Sequence, residues 1–138
     1  MRVLGIDFGD KRIGVALSDP LGWTAQGLET IHRQAGLTKD LDRIKYLAEK
    51  NEVTKIVVGL PLNMNGDIGP QGEKVLAFAK KLHQHVHLPV ETWDERLTTV
   101  AASKLLISAD VRRSKRRQVI DKMAATIILQ GYLDTLSG

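Results

Sequence analysis

The chain begins with a short apolar run, Val3 to Phe8, interrupted only by Gly5 and Asp7. After Gly9-Asp10-Lys11 a second run extends from Arg12 to Ser18, in which Ile13, Val15 and Leu17 alternate with small residues. Two period-two runs joined by a glycine-containing turn predict a β-hairpin, because successive side chains of a strand fall on opposite faces. Asp19-Pro20-Leu21-Gly22 punctuates the chain, and Leu28 to Ile31 supplies a third candidate strand. From Leu37 the spacing changes. Leu37, Leu41, Ile44 and Leu47 or Ala48 form a helical stripe, with Thr38 as the expected N-cap.

Val53 to Leu60 contains the compact run Ile56-Val57-Val58, the pattern of a strand buried on both faces. It empties into Pro61 to Pro70, a segment too rich in breakers for regular structure. Val75, Phe78, Ala79 and Leu82 restore a helical period, and Leu88 to Trp93 predicts another strand with Asp94-Glu95-Arg96 at its carboxyl end. Two helical stretches close the chain, Thr99 to Leu106 and Arg116 to Leu133, with Gly131 expected to weaken the last turn. Early antiparallel strands followed by strand–helix alternation predict one α/β domain over residues 1–138, built on a mixed five-stranded sheet covered by helices.

A length of 138 residues suits one domain of ordinary size. With 43% hydrophobic and 26% charged residues, the chain can build a core and stay solvated. It contains no cysteine, which excludes disulfide frameworks, thiolate metal sites and cysteine nucleophiles. Neither a signal-peptide pattern nor an uncharged apolar stretch able to span a bilayer is present, so a cytoplasmic protein without membrane association is expected. The formal charge of +4 permits a polyanionic partner; the placement of the cations matters more than their sum.

Asp7 is the first residue that demands a chemical account, since strand interiors are depleted in aspartate and a buried carboxylate is costly unless paired or bound to a cation. Backbone donors at a strand end would satisfy it, and so would a metal ion. Asp94 and Glu95 end a predicted strand, where open sheets expose functional loops. Because adjacent strand residues face opposite ways, only one of the two can readily join Asp7; Glu95 is the preferred ligand, although periodicity does not choose it over Asp94. Asp121 falls in the last helix, four residues before Ala125 and seven before Ile128, on or beside the sheet-facing side; an ion pair with Arg117 is its structural alternative. Three such carboxylates suit one or two Mg²⁺ or Mn²⁺ ions, and phosphodiester hydrolysis at that site would need no covalent protein nucleophile.

Four segments carry a specific likeness. Asp7-Phe8-Gly9-Asp10-Lys11-Arg12-Ile13-Gly14, Val57 to Gly66, Asp94-Glu95-Arg96-Leu97-Thr98-Thr99 and Asp121-Lys122-Met123-Ala124-Ala125 together resemble the motif series of the YqgF/RuvX family, in order and over essentially the whole chain. The resemblance implies a ribonuclease-H-like fold with helices on both faces of the mixed sheet. It also implies a metal-dependent nuclease that processes the 5′ end of pre-16S rRNA or, alternatively, resolves four-way DNA junctions. The acidic positions implied are Asp7, the Asp94/Glu95 pair and Asp121. Gly72 and Gly131 stand where alanine or a polar helix former would be expected.

Backbone contacts to structured nucleic acid would come from Lys11 and Arg12 in the hairpin turn, from Arg96, and from the basic connector that contains Arg112, Arg113, Lys115, Arg116 and Arg117. Each has an ordinary alternative: a solvated turn, an internal pair with Asp94, or a solvent-facing connector. Asn63 and Asn65 could meet base edges or phosphate, or could simply stabilise the loop in which Met64 serves as an anchor. His83, His85 and His87 straddle a helix end and a strand start, so their rings are not expected to converge on zinc. A non-catalytic, ribosome-associated nucleic-acid-binding module is the competing functional class, and the chain could act as a monomer or as a C₂ dimer.

Overall fold

The computed structural model describes residues 1–97 and 113–137, with the side chains of the last stretch described over 122–136. The expected hairpin is present: strand β1 (Val3–Phe8) runs antiparallel to β2 (Arg12–Ser18), with Asp7 opposite Gly14. The turn closes through the Gly9 N–H donating to the Arg12 carbonyl at 2.9 Å. The third strand, β3 (Ala25–His32), is longer than the apolar pattern indicates. It pairs with β2 along its whole length across a bulge at Val15/Ala16, and backbone pairing sustains its polar residues where hydrophobicity does not.

Helix α1 (Thr38–Lys50) follows and buries Leu41, Ile44, Leu47 and Ala48, the predicted stripe. Thr38 is its first helical residue and not its cap, which is Leu37 with no side-chain cap bond. Asp40, one turn into the helix, reaches back instead, its Oδ1 accepting the Gln34 N–H at 3.3 Å. Strand β4 (Lys55–Leu60) is buried on both faces as its run of β-branched residues requires. Helix α2 (Pro70–Val86) starts at the proline that ends the breaker-rich segment; proline fits the first helical turn, where an N–H would have no partner. Gly72 belongs there for steric reasons, since a Cβ would lie 2.9 Å from the Pro61 carbonyl oxygen. Strand β5 (Val90–Asp94) ends in a single 3₁₀ turn, Glu95–Leu97.

The last helix, α3 (Arg113–Ser137), begins earlier than predicted and continues through Gly131, beyond which Tyr132 and Leu133 are buried. Burial of that apolar pair outweighs glycine's modest propensity cost. The predicted helix from Thr99 to Leu106 and the connector from Ser108 to Arg112 lie outside the described residues.

The sheet order is β3-β2-β1-β4-β5, antiparallel from β3 to β1 and parallel from β1 to β5. Alternation along the strands divides the core in two. Leu4, Ile6, Phe8, Ile56, Val58 and Leu60 face α1 and α2, whereas Val3, Ala16 and Val57 face α3 through Ala124, Ala125, Ile128, Leu129 and Leu133. On the α3 side β1 contributes Gly5, and a Cβ there would lie 2.7 Å from Leu129 Cβ and 3.1 Å from the Ala125 carbonyl oxygen. The helix can approach only because that atom is missing. Gly5→Ala is therefore expected to destabilise the fold by about 1–3 kcal/mol, the usual range for overpacking a filled core. Urea unfolding checks it; a midpoint equal to the wild type would show that α3 is free to retreat.

Candidate active site

Asp7 is half-buried on β1, opposite Gly14 of β2. The parallel register that pairs Ile6 with Val58 brings Gly59 alongside Asp7 on the other flank. The carboxylate therefore stands on the α3 face between two glycines, in line with Val3 and Gly5 as strand periodicity predicts.

Glu95 reaches the same place from β5. Trp93 is in register with Gly59, and the chain leaves the strand into the 3₁₀ turn. A Cβ on Gly59 would lie 2.6 Å from Glu95 Oε1, so the Glu95 carboxylate occupies the space that a side chain at position 59 would need. Neighbouring strands are about 4.8 Å apart, which brings Asp7 and Glu95 to opposite sides of one glycine. Gly59 is thus a site residue that the motif-by-motif reading did not single out. Its signal was a glycine at the end of an otherwise bulky buried strand, a mark of close approach.

Asp94 goes the other way. It is in register with Leu60, and Arg96 engages its carboxylate fully: the Arg96 backbone N–H donates to Oδ1 at 2.9 Å, Nε lies 3.1 and 3.2 Å from the two oxygens, and Nη2 donates to Oδ2 at 2.8 Å. Hydrogen bonding to Arg96 holds Asp94 below the usual aspartate range, against the opposing effect of burial, and raises Arg96 in return. Arg96 also donates from Nη1 to the Met64 carbonyl at 3.3 Å and so ties the 3₁₀ turn to the loop after β4. The internal pair that the sequence offered for Arg96 is formed.

That loop is held by its own polar groups. Asn65 Nδ2 donates to Asp67 Oδ2 at 2.9 Å, the Asp67 N–H donates to Asn65 Oδ1 at 3.0 Å, and the Gly66 N–H donates to the Asn63 carbonyl at 2.8 Å. Asn65 is a turn-former here, and Met64 is exposed rather than anchoring the loop. Lys11 lies exposed in the hairpin turn and Arg12 half-buried at the start of β2. The histidines do not converge: His83 Nδ1 meets the Leu88 carbonyl at 2.7 Å, His85 Nε2 meets Asp42 Oδ1 at 2.6 Å, and His87 caps α2 in a left-handed conformation.

Asp121 lies in α3 one turn before Ala125, the residue whose carbonyl overlies Gly5; its side chain is outside the described residues. Arg113, Lys115 and Arg116 fall in the first turns of the same helix with their side chains likewise outside, and Arg112 lies before it. Among the described residues no three His, Asp or Glu side chains gather into a metal site. The two carboxylates around Gly59 offer oxygen donors alone, a set that fits a hard divalent cation and not a soft one.

A mixed sheet in the order 3-2-1-4-5, covered by helices on both faces and carrying acids at the carboxyl ends of its parallel strands, defines the class: a ribonuclease-H-like fold. The chain belongs to the RuvX family, whose model, described as Holliday junction resolvase, matches residues 1–135. A protein of Desulforamulus reducens named "putative pre-16S rRNA nuclease" is 62% identical over 135 residues, covering 98% of each chain. One of the same name from Clostridium kluyveri is 57% identical over 137 residues, covering 99% of each. Among solved structures, T. thermophilus RuvC in complex with a Holliday junction substrate superposes with a TM-score of 0.61 at 14% identity, covering 100% of this chain and 97% of that one. The fowlpox virus Holliday junction resolvase does so with a TM-score of 0.54 at 15% identity, covering 98% and 99%. At such identities the likeness is one of fold.

The Asp94–Arg96 pair sets a pH dependence. Because Asp94 titrates below its unfolded value, the pair's contribution to stability is intact above the ordinary aspartate range, near about 4, and is lost as the pH falls through the lowered value. Arg96→Gln should therefore melt below the wild type at neutral pH, and the gap should close on acidification through the carboxylate range. Calorimetry across that range checks it, and a pH-independent gap would remove Asp94 as the cause.

Proposed function

We propose that this chain is a single-domain, divalent-metal-dependent nuclease that hydrolyses phosphodiester bonds in structured nucleic acid, with the 5′ end of pre-16S rRNA as its substrate and the cytoplasm as its location. The observation that carries the reading is the placement of Asp7 and Glu95 on either side of Gly59, at the carboxyl ends of parallel strands. Asp7 and Glu95 would hold the cation together with Asp121, one helical turn from the Ala125 carbonyl that overlies Gly5. Bound there, Mg²⁺ or Mn²⁺ supplies charge neutralisation at the scissile phosphate and a water of lowered pKa.

The chain's own residues have distinct tasks. Glycine at 59 lets the Glu95 carboxylate lie against the strand beside Asp7, so that the two acids could share one cation. Arg96 neutralises Asp94 and keeps a third negative charge from the β5 end off the phosphate's path. Lys11 and Arg12, and the cations Arg112, Arg113, Lys115 and Arg116, would grip the backbone on either side. Asn63 and Asn65 shape the loop that walls the site. Among the described residues no helix is long and apolar enough to cross a membrane.

The family's description favours a second substrate, a four-way DNA junction. Cleavage of precursor rRNA and of a synthetic junction, measured side by side with homogeneous protein, separates the two; binding of both without cleavage of either would leave a non-catalytic module. Asp7→Asn and Glu95→Gln should each lower single-turnover cleavage by about 100-fold or more while changing affinity under non-cleaving conditions by less than about threefold, the signature of lost transition-state stabilisation. Folded Asp7→Asn protein that cleaves like the wild type at limiting divalent ion would defeat the assignment.

A further inference from the structure

On the opposite face of the sheet a cleft of about 370 Å³ opens beside the hairpin turn, lined by Phe8, Asp10, Arg33, Lys74, Phe78 and Lys81 among others. It starts at the residue next to Asp7. Phe8 stacks on Phe78 with ring centroids 4.1 Å apart, and these nearly buried rings form the floor. Lys74, Phe78 and Lys81 recur at positions i, i+4 and i+7 of α2, so the two lysines stand on one side of the cleft a little under two helical turns apart. Ala77 lies between them and leaves the space that a larger side chain would fill.

Arg33 is the fixed element. Its guanidinium lies 4.6 Å over the Phe8 ring, Nη1 donates to the carbonyls of Gly9 and Asp10 at 3.1 Å each, and Nε is buried 3.7 Å from Oδ2 of the fully buried Asp40. The backbone N–H of Arg33 also donates to the Lys11 carbonyl at 2.9 Å. None of the hydrogen bonds that Arg33 makes among the described residues uses Nη2, and the residue lines the cleft. A guanidinium held at three points on a rigid floor, beside two exposed lysines, is pre-oriented to offer Nη2 to the anionic oxygens of a phosphodiester. The one acid in the cleft, Asp10, sits 3.4 Å from Lys74 in an exposed pair that an incoming anion can exchange.

We propose that this cleft is a second contact site for the substrate, binding successive backbone phosphates of the strand that leaves the acidic site over the hairpin turn, through Arg33 Nη2, Lys74 and Lys81. The inference rests on the nuclease reading above. The ligand chemistry is a phosphodiester, which RNA and DNA share, so the test carries one arm for each. Arg33 is built into the fold, and the lysines are therefore the residues to change.

The experiment measures binding of full-length protein, without divalent ions, to a labelled RNA hairpin with a single-stranded tail and to a labelled four-way DNA junction, over a salt series. Lys74→Ala/Lys81→Ala should weaken binding by about tenfold near physiological salt and reduce the slope of log affinity against log salt by about 1.4 to 1.8, as expected for the loss of two phosphate contacts. Lys45→Ala/Lys50→Ala removes the same charge elsewhere on the surface and should leave the slope within error. Asp10→Asn should bind about threefold tighter, because a competing carboxylate is gone. Loss confined to one arm assigns the site to RNA or to DNA. Unchanged affinity and slope in both arms, an equal loss in the Lys45/Lys50 control, or weaker binding by Asp10→Asn overturns the subsite while leaving the nuclease reading in place; a wild type that binds neither probe overturns both.

Discussion

The structure depends on how closely α3 can lie on the sheet. At Gly5 and Gly59 the helix meets strand backbone directly, and a single added carbon would collide with Leu129 at the first and with Ile128 and the Glu95 carboxylate at the second. Contact at this range is short, steep and specific in register, unlike general hydrophobic burial, which is proportional to area and tolerant of sliding. Polar ties on both sides of the helix hold the same register. Gln130 accepts the Ala25 N–H at 2.9 Å and donates to the Trp23 carbonyl at 2.9 Å, fixing α3 to the β3 edge. Toward the other edge Lys55 donates to the Tyr132 hydroxyl at 2.6 Å and pairs with Glu91 at 2.7 Å.

From that register the acidic site follows. The same absence of side chains that lets the helix down onto β1 and β4 makes room for the Glu95 carboxylate beside Gly59. Carboxylates gathered at one place repel one another, and under the function proposed above a divalent cation would relieve that repulsion. Arg96 limits the repulsion by removing Asp94 from it, and the bidentate geometry makes that neutralisation directional. The arginine thereby does two jobs with one fork, since its remaining nitrogen holds the loop after β4 at Met64.

The two faces of the sheet also divide the work. Asp7 and Phe8 are neighbours in sequence and point to opposite faces, so one turn of backbone serves both the carboxylate site under α3 and the Arg33 cleft against α2. Arg33 binds three successive carbonyls of that turn, those of Gly9, Asp10 and Lys11, and so couples the geometry of the two faces.

Much of this was legible in the chain itself. Alternation at Val3 to Phe8 and Arg12 to Ser18, the β-branched run at Ile56 to Val58 and the stripes at Leu41 to Ala48 and Val75 to Leu82 determined the strands and helices, because periodicity is a local property that burial imposes residue by residue. The same alternation put Asp7 in line with Val3 and Gly5, and the motif series pointed to the family. Which of Asp94 and Glu95 lies beside Gly59 was not legible, since it rests on where a 3₁₀ turn rotates the chain after β5 and on Arg96 folding back onto its neighbour. Nor was the pairing of Arg33 with Asp40, or its position over Phe8, because those contacts join residues whose sequence patterns show only an exposed turn and a helix start. Local pattern determined which elements form; which side chains share a space was decided by the packing of those elements in three dimensions, where one missing Cβ sets the distance.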